Sequence, residues 1–184
     1  MRTFQMLTTV AVLATASGAA LAHAWDAGER QGNTPKLYDV NNELVGIVID
    51  APGGAVSDGG VIMNVKGAPV FVSFALEKAP DGSQSASKLR WSGVSPSYSG
   101  ANCTGTPYIP YALGPLRPAA IERKGAKAVL HVAKDEHSQY VSIRSQDYGN
   151  DCGNFVEQGD FPAWVVGESL DLTARFPEPL HVGR

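Results

Sequence analysis

The sequence predicts an all-β fold: antiparallel β-meanders closed into a barrel or stacked as a two-sheet sandwich, with one disulfide. Three observations carry this. Apolar residues recur with period two in short runs, and no segment sustains an apolar helix face. Twenty Gly and twelve Pro are spread along 184 residues rather than clustered, as expected for many tight turns. The two cysteines are just enough for one pair.

The strand pattern begins after a leader. "MRTFQMLTTVAVLATASGAALAHA" places Arg2 before an apolar stretch from Met6 to Ala16 and closes on small residues, the layout of a signal peptide over residues 1–24. The stretch is too short and too interrupted to span a bilayer. Cleavage after Ala24 leaves 160 residues, enough for one hydrophobic core, and removing Arg2 takes the formal charge from −3 to −4. A mildly acidic chain without basic clusters is not built for nucleic acid or an anionic membrane surface. The expected location is the periplasm or the medium, with an envelope or extracellular partner that the residues do not identify.

Residues 25–36, "WDAGERQGNTPK", are polar and aperiodic and read as a flexible lead-in; residues 37–184 then form a single β domain. "KLYDV" and "ELVGIVID" flank Asn41-Asn42, which tolerate the positive φ of a hairpin turn, and "VIMNV" and "APVFVSFAL" flank Lys66-Gly67 in the same way. Both faces of "APVFVSFAL" are apolar, which predicts a strand covered on both sides. "KLRWSGV", "PYIPYAL", "AAIER", "AKAVLHVA", "QYVSIRS" and "ESLDLTARF" continue the pattern, giving roughly eight to ten strands. "NVKGAPVFVSF" parallels "ERKGAKAVLHV", and each is followed by a tyrosine and then a cysteine, which fits either two related halves or the turn grammar that hairpins share.

Export places the cysteines where disulfides persist, and both lie in polar loops rich in Gly and Asn. A Cys103–Cys152 bond is therefore expected, and it would stabilise the fold by about 4 kcal/mol on the chain-entropy account.

At these residues the chain resembles a set of exported bacterial β-meander proteins of unknown function that share YD-x-N-x-x-x-G and D/N-C-x-G-x-x-Y segments. Here these are Tyr38, Asp39, Asn41 and Gly46, then Asn102, Cys103, Gly105 and Tyr108. The resemblance implies an extracytoplasmic β domain and brings no activity, cofactor or catalytic residue with it.

No G-x-S-x-G or H-E-x-x-H is present. Ser85 and Lys88 match S-x-x-K without the helix that motif needs. Asp147, Asp151 and Glu157 lie in a Gly- and Asn-rich stretch that reads as turn chemistry before calcium. His131 reads as a strand residue and His137 as a turn residue. Tyr108 and Tyr111 in "TPYIPYALGP" form a candidate ligand surface, although the interleaved prolines first suggest an edge strand. No catalytic residue or cofactor is assigned, and the expected role is a non-catalytic binding or structural module. The alternative is a copper-binding protein or copper oxidase: cleavage after Ala22 would leave His23 as the terminus, offering amine and imidazole to one metal.

Overall fold

A computed structural model describes residues 34–49, 59–112, 114–149 and 151–183; the expected leader with His23 and most of the expected lead-in lie outside the described residues. Among the described residues the regular structure is antiparallel strand apart from one helical turn, as the alternation predicts. β1 (Lys36–Tyr38) pairs on one side with β2 (Leu44–Ile47) and on the other with the final strand, β12 (His181–Gly183). The sheet already includes Lys36, and Val48 N–H donates to the Pro35 carbonyl, so the lead-in ends earlier than its polarity suggests. β3 (Gly60–Val65), β4 (Ala68–Lys78) and β5 (Gln84–Trp91) form a meander. Two bridges, Ile49 to Gly60 and Leu89 to Leu180, join these two sheets into a ring.

Beyond the ring come β6 (Ser97–Tyr98), β7 (Pro107–Ile109), β8 (Ala119–Lys124), β9 (Lys127–Ala133), β10 (Gln139–Asp147) and the long β11 (Cys152–Asp171). β10, β6, β7 and β11 close on one another as a small four-stranded barrel. The far half of β11 leaves that barrel to pair with β9, which pairs in turn with β8. "ESLDLTARF" is not a strand throughout. It turns into a one-turn helix, α1 (Leu172–Arg175), because the Asp171 carboxylate accepts the Ala174 N–H at 3.0 Å and the Thr173 hydroxyl at 2.9 Å.

Period two decides burial. Ala128, Leu130 and Val132 of β9, with Ile121 of β8, face the main core and meet Leu37, Val61, Val70, Val72, Trp91, Leu172 and Leu180 there. Ala120 and Ala133, on the opposite face, meet Val94 and Ile109 in a smaller core beside the barrel. β4 is covered on both sides: Val70, Phe71, Val72, Ser73 and Phe74 are all buried. Ser73 is accommodated because its hydroxyl donates to the Ser92 carbonyl at 2.6 Å.

Two expectations change. The halves resemble each other only up to their hairpins. In the first, Val65 and Ala68 close a turn of Lys66 (φ 48°) and Gly67 (φ 90°). In the second, Lys124 and Lys127 close a turn of Gly125 and Ala126, so the shared Lys-Gly-Ala triplet is one residue out of step. Moreover β5 returns to β4, whereas β9 pairs with β11 and not with β10. Nor is β7 an edge strand. It lies between β6 and β11, and its prolines, Pro107 and Pro110, limit it to three residues.

Candidate functional site

The disulfide and a line of polar side chains define the most distinctive region. Cys103 and Cys152 are bonded, with Cα atoms 5.8 Å apart, tying the loop after β6 to the start of β11. Asn102 (φ 54°) and Cys103 (φ 53°) both take the left-handed conformation, which costs a non-glycine residue free energy. Hydrogen bonds offset that cost. Asn102 N–H donates to Asn154 Oδ1 at 2.7 Å, Asn154 Nδ2 donates to Asn102 Oδ1 at 2.8 Å, and Cys103 N–H donates to Ser145 Oγ at 2.9 Å. The fully buried Ser145 hydroxyl in turn donates to the Gly100 carbonyl.

This loop walls an open cleft of about 570 Å³ bordered on its other sides by the β8–β9 turn and by Gly149 and Asp151 after β10. Asn102, Thr104, Lys124 and Asp151 contribute to its lining, with Tyr98 and Asp147, both buried, behind them. The sequence reading of Asp147 as a turn residue holds, since its Oδ1 accepts the Gly149 N–H at 2.7 Å. The Glu157 side chain is outside what is described.

Glu122 links the cleft to the sheet behind it. Its Oε1 accepts from the Tyr98 hydroxyl at 2.6 Å and pairs with Lys124 Nζ at 2.6 Å. Its Oε2 meets His131 Nε2 at 3.1 Å, and His131 Nδ1 meets Ser169 Oγ at 2.9 Å. Burial opposes ionisation of Glu122, but the hydrogen bonds from Lys124, Tyr98 and His131 outweigh it and hold the carboxyl down at about 2. Burial, reinforced by the Glu122 carboxylate, pushes the Tyr98 phenol well up. Register explains the convergence: Glu122 lies opposite Val129, Ala120 opposite His131, and His131 opposite Ser169, so all three polar residues share one face.

The remaining sequence candidates are dispersed. Tyr108 is half-buried within β7, and Tyr111 lies beyond that strand and is exposed; neither lines the cleft. His181 stacks on Tyr38, and His137 sits exposed in the loop before β10. Among the described residues, no group of three or more His, Cys, Asp or Glu side chains is arranged to hold a metal ion. Ser85 lies in β5, where its hydroxyl accepts the Lys88 N–H at 2.9 Å. No described helix is long and apolar enough to cross a membrane.

Comparison of the chain with family models, with curated proteins and with solved structures gives no match in any of the three.

Proposed function

We propose that this protein is an exported β-rich binding module that takes a small polar ligand in the cleft beside the disulfide. The observation that carries this reading is the rigidity and polarity of that cleft: its loop is fixed by Cys103–Cys152 and by the Asn102–Asn154 and Cys103–Ser145 hydrogen bonds. A volume of about 570 Å³ is within the usual range for small-molecule sites. An ammonium on Lys124, carboxylates on Asp147 and Asp151, and the amide and hydroxyl of Asn102 and Thr104 suit a small zwitterionic or multiply hydroxylated ligand. The leader over residues 1–24 and the resemblance to exported bacterial β proteins support a periplasmic or secreted location.

The test is amide NMR of the mature protein titrated with panels of amino acids and of mono- and disaccharides. Saturable shifts at Asn102, Thr104, Gly125 and Asp151, weakened at least tenfold in affinity by Asp151→Ala, are expected. Saturable binding that maps elsewhere, or none from either panel, would remove the cleft reading. The copper alternative is tested separately by native mass of the exported protein. A chain beginning at His23 with one copper retained would replace the present reading, whereas a chain beginning at Trp25 would end the alternative.

A further inference from the structure

The cleft uses one side of Glu122; the other side points to a second site. Ser169 is exposed, on the stretch of β11 that has β9 on one side and no strand partner on the other among the described residues. Its hydroxyl is within hydrogen-bond distance of buried His131, which is within reach of Glu122. An ionised carboxylate only accepts, so Glu122 fixes the imidazole proton on Nε2. Nδ1 then carries the lone pair and accepts the hydrogen bond of the serine hydroxyl. Glu122 is itself held from behind by Tyr98 and Lys124, so the imidazole is oriented by an anchored group.

Ser169 also lines a separate groove of about 450 Å³ between β3 and β11, whose walls include Met63, Val65, Leu170 and Phe176. Lys66 and Glu168 pair at one end of it at 2.6 Å. Ser169 thus lies beside a groove of mixed polarity, since Asn64, Lys66, Glu168 and Arg175 share its walls with those apolar side chains.

From this juxtaposition we infer that Ser169 is a nucleophile for acyl transfer, with His131 as its general base and Glu122 as the residue that positions His131. The substrate class is a carboxylic ester with a short acyl chain, which the mixed groove can receive beside its charged side chains. Ser169 Oγ forms a bond to the acyl carbon while its proton passes to His131 Nδ1. The bond from that carbon to the leaving oxygen breaks, and the same proton completes the departing alcohol. Water, deprotonated by His131, then attacks the acyl-serine and releases the carboxylic acid, restoring the hydroxyl. Nothing is oxidised or reduced.

The experiment treats the mature, disulfide-bonded protein with an alkyl fluorophosphonate and reads the adduct by intact mass and peptide mapping, alongside hydrolysis of p-nitrophenyl butyrate. A single adduct on Ser169 is expected. Ser169→Ala, an exposed change that leaves the core intact, abolishes both labelling and hydrolysis. Glu122→Gln is expected to slow labelling at least tenfold while the thermal transition remains cooperative. Absence of an adduct, or labelling of Ser169 no faster than that of Ser87, which is exposed on β5, would overturn the proposal. Because labelling needs no occupant in the disulfide cleft, its failure and the failure of the binding reading are separate results.

Discussion

Glu122, on β8, and Glu178, in the loop between α1 and β12, show how differently two carboxylates can be used. Glu122 is held at about 2 by three hydrogen-bonding partners, well below its unfolded value of about 4.3. A lowered folded value means that its contribution is complete above the unfolded value and is lost as pH falls through the folded one. Acid unfolding followed by fluorescence should therefore show stability falling from about pH 4.5 toward pH 2, and Glu122→Gln should flatten that slope. Glu178 accepts the Trp91 N–H at 2.6 Å and pairs with Arg123, both side chains being largely buried. Arg123 Nε has no partner, so the guanidinium depends on Glu178 and on the Gly125 carbonyl. Glu178→Ala strands that charge and should cost about 3–5 kcal/mol in urea unfolding. A loss below about 1 kcal/mol would mean that water reaches Arg123 more easily than its burial implies.

At the scale of elements, hairpin and cap chemistry sets where strands stop. Asp39, fully buried, accepts the N–H groups of Asn41 and Glu43 on one oxygen and so fixes the β1–β2 loop, where Asn42 takes φ 63°. Asp171 does the corresponding work at α1, and Asp171→Ala should lower the midpoint of thermal unfolding while the fold persists. Gly60 is needed for a different reason. The Phe71 ring lies over it, and a Cβ there would come within 2.2 Å of the ring. Gly60→Ala must displace that ring and, with it, the Gly60–Ile49 bridge that helps close the ring of strands. A loss of about 1–3 kcal/mol in thermal or urea unfolding is expected, larger than for Gly82→Ala, where a Cβ meets nothing within 4 Å but φ is positive.

For the whole molecule, the disulfide ties the four-stranded barrel to its own loop across 49 residues of sequence. Cys103→Ala with Cys152→Ala should lower stability by about 4 kcal/mol or somewhat less. The fold should persist, because the Asn102–Asn154 pair and the Ser145 bonds hold the same loop independently. Circular dichroism of the double variant, with amide exchange at Asn102 and Cys103→Ala, separates this from unfolding of the barrel. Exchange that accelerates across β8 and β9 as well would show that the barrel and the larger core do not unfold separately.

Local features are legible in the residues alone. Period two placed β3, β4, β8, β9 and β10, the Lys66-Gly67 turn was visible as a hairpin, and two cysteines in a chain read as exported left one pairing. Twelve strands stand among the described residues where eight to ten were expected, because Ser97–Tyr98 and His181–Gly183 are too brief to display a period. Even the approach of His131 to Glu122 was within reach, since a two-residue turn at Gly125-Ala126 fixes their diagonal register. Tertiary structure alone decided the rest. Strand partners are chosen by which faces can be buried together, and β9 buries its second edge against β11 rather than its sequence neighbour β10. That choice separates the two halves that the repeated triplet suggested. It also brings Ser169, 38 residues from His131 in sequence, to the end of a hydrogen-bonded line, and such convergence has no short-range pattern for a sequence to carry.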